Sequence, residues 1–169
     1  MVDVSGSMGE AMNSMATMAW VLSEVSRRVE AKSAMVYYGS DVFSTLKPGQ
    51  HLDRVRVYGA YDFTEKFDRA FKAIDGSLNL LNGSGARLLV VFSDGHYTSS
   101  ETAKAKQWLS MCQASNVGVL WLGLDRADNY GAKDITNGNN SVFLTVPSDT
   151  SSVATTIGQA AARALTLAS

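Results

Sequence analysis

At 169 residues, with 46% hydrophobic and 18% charged residues, the chain has the make-up of a globular protein that buries a core, not of a disordered one. Its formal net charge is −1, with Lys and Arg scattered along the chain, which gives no footprint for nucleic acid or for an acidic membrane surface. A single cysteine, Cys112, excludes an internal disulfide framework, and no apolar run approaches the roughly 18 residues of a membrane span.

The length predicts one domain over residues 1–169. No internal repeat, low-complexity stretch or linker divides it. The N-terminus lacks the basic and then apolar regions of a secretory signal, so a cytoplasmic setting is the default expectation. Cys112 lies in an apolar-periodic stretch and reads as a buried, inert thiol.

In chain order, the first feature is Asp3-Val4-Ser5-Gly6-Ser7-Met8. Asp3 follows a short apolar strand, Ser5 and Ser7 point the same way from the loop, and Gly6 allows a tight bend. The set offers a carboxylate and two hydroxyls, hard oxygen donors of the kind Mg²⁺ prefers. Residues 8 to about 30 read as a helix whose inner face carries Met8, Met12, Met15, Ala16, Ala19, Leu22, Val25 and Val29. That Met-rich face is expected to pack on a sheet.

Ala34 to Gly39 is a β-rich run, paired through the Gly39-Ser40 turn with a second strand over Asp41 to Leu46 that Pro48-Gly49 stops. Asp53 to Tyr58 alternates in part and is expected to add a further short strand. From Thr64, taken as N-cap, Phe67, Ala70, Phe71, Ile74 and Leu78 mark a second helix. Arg87 to Phe92 contains the unbroken apolar run of a parallel strand covered on both faces, with Asp94 just beyond it. Ser99 or Ser100 is expected to cap a helix through Cys112. Val117 to Leu122 and Val142 to Val146 read as strands. Ser148 or Asp149 is expected to cap a closing helix through about Leu165.

Strands alternating with helices predict an α/β fold: a doubly wound, mostly parallel central sheet with helices on both faces. In such sheets ligands sit beyond the carboxyl ends of the strands, where strand order reverses. Asp3, Ser5, Ser7 and Asp94 all fall at such ends, and Thr64 is expected on the same rim.

The chain resembles the von Willebrand factor A (VWA) domain, whose metal ion-dependent adhesion site opens with Asp-x-Ser-x-Ser, here Asp3, Ser5 and Ser7. The family adds a Thr in a second loop and an Asp in a third. Thr64 in Tyr61-Asp62-Phe63-Thr64-Glu65 and Asp94 in Phe92-Ser93-Asp94-Gly95 stand where those belong. The resemblance implies that Ser5 and Ser7 bind Mg²⁺, or Mn²⁺, through their hydroxyls. It implies that Thr64 binds directly in the ligand-ready state, and that Asp3 and Asp94 act partly through water. It further implies a protein partner whose Asp or Glu completes the coordination, with the domain serving as an interaction module. Some members of the family work beside AAA+ ATPases and chelatase subunits. The family has a longer apolar strand before its Asp than Met1-Val2, so either the first strand is stunted or, the favoured expectation, the protein continues upstream.

Two neighbours belong to the candidate rim. Asp62 is either a solvated loop acid or an added carboxylate at the metal, and His96 is either an exposed loop histidine or a ligand contact. His51 is assigned nothing. Asp125, Asp128 and Asp134 lack the spacing and glycine of an EF-hand and are not expected to hold a second metal. Asn137 to Asn140 reads as a turn. Enzymatic alternatives are disfavoured: there is no phosphate-cradling Gly-rich loop, no Gly-x-Ser-x-Gly elbow, and no acid two positions after Asp3. The alternatives kept are Mg²⁺-dependent phosphoryl transfer and a domain whose metal is merely structural.

Overall fold

The computed structural model describes residues 1–59, 64–124, 129–146 and 153–168. Six strands form one sheet in the order β3-β2-β1-β4-β5-β6. They are β1 (Val2–Asp3), β2 (Met35–Tyr38), β3 (Val42–Leu46), β4 (Leu88–Phe92), β5 (Gly118–Leu124) and β6 (Ser141–Val146). All pairings are parallel except the β2–β3 hairpin. The doubly wound architecture expected from the alternation of elements is the one observed.

Period-2 alternation divides the strands between two apolar layers. Val36, Tyr38, Leu89, Val91, Val119 and Trp121 face one layer. It is covered by α2 (Phe67–Leu78), α3 (Ser99–Ala114) and α4 (Tyr130–Thr136). Met35, Tyr37, Phe92, Leu120 and Leu122 face the other, with α1 (Met12–Arg28) and α5 (Val153–Leu167) over it. Cys112 is wholly buried in the first layer, and burial pushes its thiol up to about 12, consistent with an inert side chain.

Several boundaries differ from expectation, each for a local reason. The first helix opens as a 3-10 turn over Gly6–Ala11 before α1 begins. Met8, Met12, Met15, Ala16 and Ala19 are buried as expected, but burial stops at Ser23, so Val25 and Val29 are exposed. Residues 53 to 58 form no strand: side chains anchor this segment, with the Tyr58 ring against Tyr37 and Phe43 and the Trp20 indole donating to the Leu52 carbonyl. Thr64 is not the cap of α2, whose N-cap is Lys66. The Asp68 N–H in its first turn is satisfied from α3, by the Glu101 carboxylate.

Thr98, one residue before the expected Ser99, caps α3 by accepting from the Glu101 N–H. Helix α4 was not legible as a helix. Asp134 lies on it and pairs with Lys106 at 2.9 Å, while Asp125 and Asp128 lie outside the described residues. The proposed caps Ser148 and Asp149 lie outside them too. No helix among the described residues is long and apolar enough to cross a membrane.

Candidate functional site

Strand order reverses at β1, which pairs with β2 on one side and β4 on the other. The carboxyl ends of β1 and β4 therefore flank the crevice of the sheet. Asp3 is the last residue of β1, and the Asp94 loop leaves β4 beside it, tied to β5 by the Ser93 N–H bond to the Leu122 carbonyl. Both carboxylates are buried, Asp3 at 0% and Asp94 at 1% exposure.

The Asp3 carboxylate is held at both oxygens. Its Oδ1 accepts from the Ser5 N–H at 2.8 Å, and its Oδ2 accepts from the Ser93 hydroxyl at 2.6 Å. Burial pushes the Asp3 carboxyl up to about 6, against the hydrogen bonds from Ser93 and Ser5, with the Asp94 charge adding to the rise. Asp94 Oδ1 accepts from the His96 N–H, and the Asp94 carbonyl accepts from the Ala132 N–H at the start of α4. Glycine is required where these loops meet. Gly95 has φ +76, and a Cβ on it would lie 2.2 Å from the Ala132 nitrogen.

The hydroxyls of Ser5 and Ser7 lie 3.2 Å apart. Ser5 is buried, while Ser7 opens to solvent. Mg²⁺–oxygen bonds of about 2.1 Å at right angles place neighbouring ligand oxygens about 3.0 Å apart, so this spacing matches one edge of an octahedral shell. The donor set thus fits a small hard cation. Among the described residues no group of three or more His, Cys, Asp and Glu side chains forms a metal cluster. The donors that do converge are hydroxyls beside carboxylates.

The remaining predicted residues divide by accessibility. Thr64 is exposed in the segment that leads into α2, and the Lys66 N–H anchors this segment to the Gly39 carbonyl beyond β2. His96 is exposed beside Asp94. Asp62 lies outside the described residues.

Other residues at the site escaped the sequence reading. Glu65, only 9% exposed, is pushed up to about 7 by burial and then by the charges of Asp3, Asp94 and Glu101. No regular periodicity marks Glu65 in the sequence, since Lys66, which joins it to α2, has φ −99 and ψ 60, neither helical nor extended. Beneath the loops, Tyr38, Phe67, Tyr97 and Trp121 form an aromatic floor with ring centroids about 6 Å apart. The Trp121 indole donates to the Ser93 carbonyl at 2.8 Å.

With this geometry in hand, comparison with solved structures places the fold. The VWA domain of SpRpn10 superposes with a TM-score of 0.61 at 8% identity, over 94% of this chain and 91% of that one. The fold is VWA-like. Proximal thread matrix protein 1 from the mussel byssus gives a TM-score of 0.62 at 13% identity over 97% of this chain. The chain spans just under half, 46%, of the mussel chain's length. No protein-family model matches the sequence, and no curated protein matches it. At these identities the likeness concerns the VWA-like fold alone. On that fold, Asp3 and Asp94 occupy the switch-point crevice described above.

Proposed function

We propose that this chain is a metal-dependent protein–protein interaction module that takes an acidic side chain of a partner at the Asp3–Ser5–Ser7–Asp94 crevice. The observation that carries the reading is the 3.2 Å approach of the Ser5 and Ser7 hydroxyls at the end of β1, beside the buried Asp3 and Asp94 carboxylates. The VWA-like fold supports the coarser part, since such folds commonly serve as interaction modules.

Ser5 and Ser7 would hold Mg²⁺ or Mn²⁺, with Thr64 the second-loop donor implied by the resemblance and Asp3 and Asp94 supplying the negative charge. Bound there, the ion supplies a positive charge left under-neutralised by neutral hydroxyl ligands, to which a partner's carboxylate coordinates. Asp3 orients the loop through the Ser5 N–H, and Ser7 and His96 stand exposed where a partner arrives. Asp62 belongs to the proposed rim by its place in the sequence. Service as an adaptor to an AAA+ ATPase or chelatase-type complex is a finer proposal, supported by the family resemblance alone.

A binding role is favoured over phosphoryl transfer by the state of Asp3. An enzyme would need it as a free nucleophile, whereas both of its oxygens are engaged by protein donors and it is 0% exposed. The test is affinity capture with Mg²⁺ present, against EDTA and against Asp3→Ala. A partner retained by Mg²⁺ and lost in both controls supports the module. Capture that is the same in all three conditions assigns the metal a structural role instead. Mg²⁺-dependent phosphate turnover lost in Asp3→Ala would overturn the binding reading in favour of an enzyme.

A further inference from the structure

A chain of neutral hydroxyls runs from the protein interior to the candidate site, and its directions are fixed by hydrogen-bond counting. Ser93 Oγ accepts from the Gly95 N–H at 3.0 Å and from the Tyr97 hydroxyl at 2.9 Å. A serine oxygen has two acceptor positions and one proton. With both acceptor positions occupied, the Ser93 proton is committed to Asp3 Oδ2, at 2.6 Å. The Tyr97 proton is spent on Ser93, so the 2.6 Å contact between the Tyr38 and Tyr97 hydroxyls has Tyr38 as donor. Every proton in the series therefore points towards Asp3.

The surroundings bury most of this series, with Tyr97 half-buried at its outer side. Ser93 and Tyr38 are 0% exposed, Phe67 packs edge-on to Tyr38, and both Tyr97 and Trp121 lie against Phe67. In such a medium successive hydrogen bonds polarise one another, and an oriented donor stabilises an anion more than it would in water. Among the described residues, no basic side chain is hydrogen-bonded to Asp3. A Lys or Arg in that place would neutralise Asp3 but repel a cation bound in front of it. Neutral hydroxyls hold the carboxylate without competing for its charge.

We propose that Tyr38, Tyr97 and Ser93 form a one-way hydrogen-bond relay that positions Asp3 as an oriented anion for cation binding at the β1–β4 crevice. The inference rests on the metal reading above and adds three positioning residues to it. Tyr97 and Tyr38 act only through Ser93. Their contributions are accordingly ordered by distance along the chain and are not independent of one another.

The experiment is titration of Mn²⁺, followed by electron paramagnetic resonance and calorimetry, into the unaltered chain and its Ser93→Ala, Tyr97→Phe, Tyr38→Phe and Asp3→Ala variants. Circular dichroism establishes that each is folded. The expected result is Mn²⁺ uptake by the unaltered chain that is lost in Asp3→Ala. Ser93→Ala should weaken it by about 10-fold, the low end of outer-shell effects on metal sites, and Tyr97→Phe, one bond further out, by less, about 3-fold. Tyr38→Phe should weaken it least. A double variant, Ser93→Ala with Tyr97→Phe, should bind like Ser93→Ala alone, a coupling that general loss of packing does not produce. The isosteric tyrosine variants keep the test sound if Ser93→Ala fails to fold. Normal binding by a folded Tyr97→Phe variant, or additive losses in the double variant, overturns the relay while leaving the metal site intact. Failure of the unaltered chain to take up Mn²⁺ overturns the metal reading, and the relay's role falls with it.

Discussion

The Ser93 hydroxyl donates to Asp3 Oδ2 at 2.6 Å, joining the loop after β4 to the end of β1 across ninety positions of sequence. This bond and the Ser5 N–H bond to Oδ1 hold the buried carboxylate from two sides. Replacing Asp3 with Asn preserves shape and one acceptor but removes the charge. On the metal reading, millimolar Mg²⁺ should raise the melting temperature of the unaltered chain, and Asp3→Asn should remain folded and lose that rise. Thermal melts with Mg²⁺ and with EDTA check this. An undiminished Mg²⁺ response in Asp3→Asn would remove Asp3 from the site.

Burial and mutual repulsion also set a pH dependence. The Asp3 carboxyl is raised to about 6 and that of Glu65 to about 7, from ordinary values of 3.8 and 4.5. A carboxyl raised by folding binds its proton more tightly in the folded state. Its contribution to stability is full below the unfolded value and lost as pH rises through the folded one. Without divalent metal, these two carboxyls should favour pH 5 over pH 8, opposed by the buried Met1 amino group, which burial lowers to about 5 and whose contribution is lost as pH falls. The slope approaches about 1.4 kcal/mol per pH unit for each group at its steepest. On the metal reading, Mg²⁺ should restore much of the loss at pH 8 and do little at pH 5. Urea unfolding across that range in EDTA and in Mg²⁺ measures both effects. A pH profile in EDTA that Asp3→Asn and Glu65→Gln both leave unchanged would contradict the assignment.

The strands that carry the site were legible because their signals are local. Leu88 to Phe92 is an unbroken apolar run, and Asp94 directly follows it, so a carboxylate at a buried strand's end could be read without knowing the fold. The same holds for Asp3, Ser5 and Ser7. The relay was not legible, because the meeting of Tyr38 and Tyr97 depends on β2 and the loop after β4 lying on either side of β1. Nor was Glu65, since Thr64 drew attention as the hydroxyl residue while burial selects its neighbour. Helix α4 was hidden by its own composition: Gly131, a weak helix former, stands near its start.

Glu65 tests whether burial or residue type decides the second loop's part. Only 9% exposed, it feels the charges of Asp3 and Asp94, whereas Thr64 is exposed. Glu65→Gln removes a repelled charge, so the metal-free protein should melt higher at pH 8 and show a flatter pH profile between about 6 and 8. On the metal reading, the same change should weaken the Mg²⁺ response, because one negative charge near the cation would be lost. Thr64→Ala provides the comparison: the VWA resemblance makes Thr64 the ligand, and a larger loss of Mg²⁺ response in Thr64→Ala than in Glu65→Gln would favour it. The reverse order would assign the second loop's contribution to Glu65.

The contact between the Asp94 loop and α4 supplies a test of the scaffold itself. A Cβ on Gly95 would lie 2.2 Å from the Ala132 nitrogen, and one on Gly131 would lie 2.1 Å from the Gly95 oxygen. The obstructing atoms are backbone in both cases, so relief requires moving α4 or the loop rather than rotating a side chain. Gly95 also sits at φ +76, where an L side chain adds strain of its own. Gly95→Ala should therefore cost about 2 kcal/mol or more and lower the melting temperature by about 5 °C or more. Gly131→Ala, without the positive φ, should cost less but still disturb the Asp94 carbonyl bond to the Ala132 N–H. Gly138→Ala is the control: it has φ +80 but nothing within 4 Å of its Cβ, so strain alone should act there. Equal destabilisation in Gly95→Ala and Gly138→Ala would show that backbone conformation, not the close approach of α4, accounts for the effect.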